Sequence, residues 1–207
     1  VTTLAANAST TFTLRLQSST AGTYGGSLSF ANNDSDENPF NVTLSGTVAA
    51  LPVVNILDNG DNGYTTSGEW TLGPGAGYQN DLHYGAKGSG ADVAIWSFNV
   101  TPGKYQVATT WFPHSNRATD APYRVYSGST LLGTVRLNQE LTPNDFNDAG
   151  GAWERVGTTF DITGSSLVVK LADDANEYVI ADAVRIERLG NLSSTPEIAI
   201  VSSSLEV

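Results

Sequence analysis

Residues 95–126 read IWSFNVTPGKYQVATTWFPHSNRATDAPYRVY, and their alternation decides the fold class. Along 105–112, Tyr105, Val107, Thr109 and Trp111 fall on one face and Gln106, Ala108, Thr110 and Phe112 on the other. A period of two carried by β-branched and aromatic side chains predicts a strand. Trp96, Phe98 and Val100 share a face just before it. Between the two, Thr101-Pro102-Gly103 supplies the fixed φ of proline and the permissive φ of glycine that a tight turn needs, so the expectation is a hairpin. Residues 113–122 follow as a polar loop with His114, Asn116, Arg117 and Asp120, and 123–126 alternate again. A polar loop held between strands is a natural seat of recognition.

Composition extends this to the whole chain. Its 207 residues suffice for two domains, each with a core. Charged residues make up 15% and apolar ones 40%, with 21 glycines, which points to a turn-rich all-β protein and away from disorder. A net charge of -11 and a pI near 4.3 exclude nucleic acid as an expected partner, because phosphate backbones call for clustered Lys and Arg. Cysteine is absent, so no disulfide, thiolate zinc site or cysteine nucleophile is available. No apolar run approaches the ~18–20 residues of a membrane span. The chain starts at Val1 in mid-pattern and lacks methionine, and is expected to be part of something longer.

Residues 1–50 carry three or four short candidate strands: 12–16, 28–30 after a turn at 22–26, and 40–44 after an acidic loop at 32–39. An immunoglobulin-like sandwich has about seven. The stretch AGTYGGSLSFANNDSDENPFNVTLSGTV resembles the C-terminal half of the bacterial immunoglobulin-like repeats grouped with the ASPM, SPD-2 and hydin domains. The tail PEIAIVSSSLEV resembles the first strand of another such repeat. Incomplete sandwiches expose unpaired edges, so the expectation is completion either by strands of a longer polypeptide or by the tail strand, within the chain or through strand exchange with other copies.

Residues 51–190 form the main module. Val53, Asn55 and Leu57 alternate with Val54 and Ile56, residues 58–63 are a dense turn cluster, and later strands are expected at 134–137, 156–162 and 167–171. Residues 64–70 and 73–84 are glycine-rich and polar. The segment 179–189 holds helix formers, yet Ile180, Val184 and Ile186 also fit one face of a strand. The series DNGDNGYTTSGEW, TPGKYQVATTWFP, NRATDAPYRV, GAWERVGTTF and YVIADAVRIERL resembles the golvesin and xanthan-lyase type carbohydrate-binding-like domain over residues 53–189. That resemblance implies a jelly-roll β-sandwich joined to the incomplete immunoglobulin-like one, makes 179–189 a strand, and implies an accessory module. The divisions expected are therefore 1–50, 51–190 and 191–207.

Catalysis finds little support. The two histidines, His83 and His114, stand in no HExxH or GxSxG setting, no glycine loop cradles phosphate before a helix, and no carboxylate pair is singled out among 21 acids. Sugars, by contrast, present apolar C–H faces and hydroxyl rings that suit aromatic platforms flanked by amide and charged groups. Trp111, His114, Asn116, Arg117, Tyr123 and Gln139 could form such a glycan-binding set. The competing reading makes Trp111 a core residue alongside Val107, and Arg117 a structural group holding a carboxylate.

Strand alternation places Asp182 inward with Ile180, Val184 and Ile186, and a buried carboxylate needs an arginine, several N–H donors or a metal. Jelly-roll carbohydrate-binding modules often hold a structural calcium between first and last strands. That resemblance carries to Asp58 and Asp182 as metal candidates, against a salt bridge from Arg117 or Arg185. The loop at 33–39 is a second candidate for calcium, against a solvated turn capped by its own side chains. Together these expectations describe a non-catalytic accessory module of a large secreted or cell-surface bacterial protein, binding extracellular polysaccharide. The alternative is a structural or adhesive repeat of a surface layer or fibre, joined by strand complementation.

Overall fold

Strands make up nearly all regular structure in the residues that the computed structural model describes, namely 21–32, 36, 38–48 and 52–192. The chain divides into two compact units between Leu51 and Pro52. In the first, β1 (Gly22–Phe30) pairs antiparallel with β2 (Phe40–Val48), from Gly22 opposite Val48 to Phe30 opposite Phe40. The expected turn at 22–26 is thus continuous strand, Gly25 lying opposite Ser45. Between the strands, Asn32 N–H donates to Asn38 Oδ1 at 3.2 Å, an ordinary loop contact. The remaining loop acids Asp34 and Glu37, the strand expected at 12–16 and the tail at 196–207 lie outside the described residues, and with them both the strand-exchange expectation and most of the second calcium candidate.

The second unit is a β-sandwich. Its strands are β3 (Val53–Leu57), β4 (Tyr64–Ser67), β5 (Thr71–Pro74), β6 (Asp81–Gly85), β7 (Val93–Asn99), β8 (Gly103–Thr109), β9 (Ala121–Ser127) and β10 (Thr130–Leu137), followed by β11 (Phe146–Asp148), β12 (Gly151–Arg155), β13 (Phe160–Ile162), β14 (Ser166–Ala172), β15 (Val179–Ala181) and β16 (Val184–Gly190). One sheet runs β10-β9-β14-β7-β4, the facing one β11-β12-β8-β16-β3 with β13 also on β8, and a small third sheet runs β15-β6-β5. All pairings are antiparallel. Period-two alternation sends Trp96 and Phe98 of β7, Tyr105 and Val107 of β8, Tyr123 and Val125 of β9, Leu167, Val169 and Leu171 of β14, and Val184 and Ile186 of β16 into one core.

The sandwich changes two local readings. β7 and β8 do not form a hairpin: they belong to opposite sheets, and residues 100–102 arch across the core, with Tyr105 OH donating to Thr101 O at 2.7 Å. Both strands turn an apolar face to the same core, which an arch satisfies as well as a hairpin does. The last segment breaks at Asp182–Ala183, so β15 joins the small sheet and β16 the six-stranded one. Ile180 consequently packs with Leu82 and Trp111, apart from Val184 and Ile186.

Tyr123 and Gln139, expected to touch glycan, are fully buried. Gln139 behaves as a surrogate strand residue: its Nε2 donates to Ile180 O (2.8 Å) and Tyr123 OH (3.0 Å), and its Oε1 accepts from Ile180 N (2.8 Å). A ligand cannot reach either residue, and their polarity is consumed by a backbone edge that has no ladder partner there. Gln139→Ala would strand both Ile180 groups and open a cavity, and should cost about 2–4 kcal/mol. Tyr123→Phe, which removes one partner of the amide, should cost only about 1 kcal/mol. Urea denaturation of the two variants checks the order; equal losses would show that the amide is not the tie.

Candidate functional site

Three surface or near-surface features gather the polar and aromatic residues, all in the second unit. The first lies on the loop after β8. Arg117 N–H donates to His114 O (3.0 Å), Ala118 N–H to Tyr178 O (2.7 Å) and Thr119 N–H to Asn176 Oδ1 (3.0 Å), while Asp120 Oδ1 accepts from Asn176 N (2.8 Å). These bonds stitch 114–120 to the segment before β15. Arg117 thereby stands beside Tyr178, and with Asn116 and Tyr84 of β6 they enclose a depression of about 340 Å³. Tyr84 and Tyr178 meet edge to face, 6.0 Å between centroids, and Tyr178 is 38% exposed. Asn116 Oδ1 accepts from Arg117 Nη1 (3.0 Å) and lies 2.8 Å from Nδ1 of exposed His114. No carboxylate pairs with Arg117 among the described residues, and partial burial lowers its pKa.

Trp111 belongs to the second feature. It is 4% exposed, packs on Leu82 and Ile180, and donates Nε1–H to Leu141 O at 2.9 Å. Its visible edge forms part of a cleft of about 460 Å³ with Tyr78, Phe112, Thr142, Pro143 and Gly150. The aromatic surface offered there is Phe112, 46% exposed. Trp111 is thus a wall rather than a platform, and it is separated from Asn116 and Arg117, which line the other depression.

The third feature is the pair Asp58 and Asp182, both buried. Among the described residues neither has a cationic partner: Arg185 donates to Asp148 Oδ2 (2.7 Å) and Glu187 Oε2 (2.8 Å), and Arg117 to Asn116. The salt bridge offered by the sequence is therefore replaced by main-chain N–H groups, Tyr78 N to both oxygens of Asp182 (3.0 Å each) and Asn59 N to Asp58 Oδ1 (2.9 Å). Gly77 (φ 90) permits this approach, since a Cβ there would lie 2.5 Å from Asp81 O and 2.7 Å from Asp182 Oδ2. Burial raises the Asp182 carboxyl to about 8, with the negative charges of Asp58 and Asp81 adding to it and the Tyr78 N–H opposing it. Burial likewise raises Asp58 to about 6, again with help from Asp81 and Asp61.

A calcium ion fits these donors in kind. Among the described residues two buried carboxylates lack a cation, and the Asn59 amide beside Asp58 is buried without a hydrogen-bond partner, so the side-chain donors include the oxygens calcium prefers. Among the described residues no third acidic or imidazole group joins them, so carbonyls and water would complete the shell. His83 contributes nothing here: it stacks on Tyr64 at 5.5 Å.

Tyr84 and Tyr178 were not foreseen as site residues. Both sit in polar stretches without alternation, and the one sequence signal was an aromatic in each of DLHYG and DDANEY.

The sandwich and its loop-built depression define a β-sandwich domain whose distinctive groups lie at strand ends and in loops. The chain belongs to the Golvesin C-terminal domain family, which matches residues 55–188. Among solved structures it is similar to a xanthan lyase from Paenibacillus, at 29% identity and a TM-score of 0.56, over 75% of this chain and 14% of the lyase. The chain thus corresponds to a small part of that protein. It is also similar to the C-terminal CBM6 of LamC from Zobellia galactanivorans (13% identity, TM-score 0.43, 66% of this chain and 100% of that one) and to the CBM35 of Cellvibrio japonicus Abf62 (14%, 0.45, 68% and 100%). Those two are too distant to bear on function. No curated protein matches, and among the described residues no helix is long and apolar enough to cross a membrane.

Because the folded-state values of Asp58 and Asp182 are raised, their contribution to stability is fully present below the ordinary value of 3.8 and is lost as pH rises through about 6 and about 8. In chelator-treated protein the melting temperature should therefore carry a component that declines across this window. Asp182→Asn, which keeps an acceptor for Tyr78, should flatten its upper half. Parallel curves for the two proteins would show that Asp182 does not titrate there.

Proposed function

We propose that this chain is a non-catalytic accessory domain of a larger secreted or cell-surface protein, and that it holds extracellular polysaccharide in the depression formed by Tyr84, Tyr178, Asn116 and Arg117. The observation that carries this is the edge-to-face tyrosine pair with one ring 38% exposed beside an amide and a guanidinium. Such a surface offers a ring to the C–H face of a sugar and donors and acceptors to its hydroxyls. The likeness at 29% identity to a short part of a xanthan lyase supports an accessory place beside other domains. His114 meets Asn116 at the rim of the depression, while Trp111 lies apart from it on the other cleft.

We also propose that Asp58 and Asp182 hold a structural calcium ion. The ion would neutralise two buried carboxylates and so fix the end of β3 against the start of β16. It supplies charge and has no part in glycan chemistry.

Two experiments test these readings. Affinity electrophoresis through gels containing soluble polysaccharides should show retardation that Tyr178→Ala and Tyr84→Ala each reduce at least about tenfold, with Trp111→Phe close to the parent. Undiminished retardation in both tyrosine variants would remove the depression as the site. Millimolar calcium should raise the melting temperature at pH 8 for the parent protein but not for Asp182→Asn; equal rises would place any binding elsewhere.

A further inference from the structure

The same depression contains a cation that no carboxylate among the described residues neutralises. Nine of the ten basic residues lie among the described residues, and six of them, Lys87, Lys104, Arg124, Arg136, Arg155 and Arg185, have a carboxylate within 4 Å. Arg188 donates to Pro102 O (3.0 Å) and Asn191 Oδ1 (2.7 Å), and the Lys170 ammonium lies 5.0 Å over the ring of Tyr126. Arg188 shares with Arg117 the lack of a carboxylate among the described residues and an Nε buried without a partner, but Arg117 has fewer acceptors and is the one that lines the depression with Tyr84 and Tyr178. Its one acceptor is the neutral Asn116 Oδ1, shared with His114, and its Nε is buried without a partner. The nearby acids are committed elsewhere: Glu177 faces Lys87 at 3.9 Å, Asp120 faces Arg136 at 3.5 Å, and Asp174 is held by Arg124 and Arg136.

In a chain with 21 acids against 10 bases, only two half-buried guanidiniums among the described residues lack a carboxylate, Arg117 and Arg188, and of these Arg117 opens onto the depression. Neutral hydroxyls would be served by Asn116 and the tyrosine hydroxyls alone. A planar, permanently charged fork adds most when its partner is a planar anion, because the two can bond in parallel. The long-range field of the chain opposes polyanions, so an acidic ligand must be recognised by a short-range pair at one local cation.

We propose that the depression takes a uronate-bearing polysaccharide, with the uronate carboxylate on Arg117 and the sugar face against Tyr178. The assignment rests on the glycan reading of this depression and narrows it to one substrate class.

The test uses the whole chain and three polymers, polygalacturonate, alginate and xanthan, each as it is and after chemical reduction of its carboxylates to alcohols, together with neutral β-glucan. Binding is measured at physiological ionic strength to screen the overall charge. At least one acidic polymer should bind, and its reduced form should bind about tenfold or more weakly, as expected for loss of a charge-assisted bond. Arg117→Met should erase that difference and Arg117→Lys keep part of it, while Tyr178→Ala lowers binding of both forms. Reducing the ligand needs no mutation, so the result does not depend on whether a variant folds. Equal binding of native and reduced forms, still sensitive to Tyr178→Ala, overturns the uronate assignment and leaves the glycan reading standing. A preference for the acidic form that Arg117→Met does not change also overturns it. Binding of none of the polymers, β-glucan included, overturns both.

Discussion

The step at Asp182–Ala183, where the chain leaves the small sheet and enters the six-stranded one, is the constraint around which the rest of the sandwich is arranged. A chain that changes sheets releases backbone groups from both ladders, and buried groups of this kind must be satisfied elsewhere. Trp96 Nε1 donates to Asp182 O at 3.1 Å, and Thr109 Oγ1 and Thr110 N both donate to Ala183 O at 3.1 Å. One residue upstream of β15's end, Gln139 supplies the Ile180 edge with the two bonds a neighbouring strand would have made. Side chains and backbone from β7, from β8 and from just after β10 therefore converge on the four residues 180–183. The fold is held at its centre by directional bonds as well as by apolar burial.

This arrangement also explains why the surface features lie where they do. Because β15 turns away to pair with β6, Tyr178 just before it emerges next to Tyr84, and the loop after β8 is drawn against the same segment by its bonds to 176–178. The depression is a by-product of closing the sandwich at that corner. The buried carboxylate at the step is held by the single N–H of Tyr78, shared between its two oxygens, an approach that glycine at 77 allows. Three elements distant in sequence thus meet at the corner, each placed by a hydrogen bond rather than by its neighbours in the chain.

Electrostatics separates the two sites that result. At Asp58 and Asp182 negative charge is concentrated and buried without a cation, so protons or a metal ion relieve it. At Arg117 a positive charge is half-buried without an anion among the described residues, in a protein that is acidic overall. Each site is unfinished in the opposite sense.

Strand character in 95–126 and the sandwich class were legible in the sequence, because alternation reports which residues face a core and a period of two survives any topology. The family was legible as a resemblance in the motif series, and Asp182 is buried as expected, though at a break where residues 179–186 are all buried. Local chemistry was less so. Thr101-Pro102-Gly103 spells a turn whether it closes a hairpin or arches between sheets, and only the facing sheets decided for the arch. The polar strands β4, β5 and β6 carried no apolar alternation to betray them. Trp111, Tyr123 and Gln139 looked like ligand-binding residues because aromatic and amide groups serve sugars and buried polar networks equally well. Which of the two they do depends on what the chain packs against them from forty or more residues away, as Ile180 does for Gln139. That is a property of the closed sandwich alone: the sequence by itself determined faces and class, and the tertiary structure decided neighbours, since hydrogen-bond partners distant in the chain exist only once the sheets have closed.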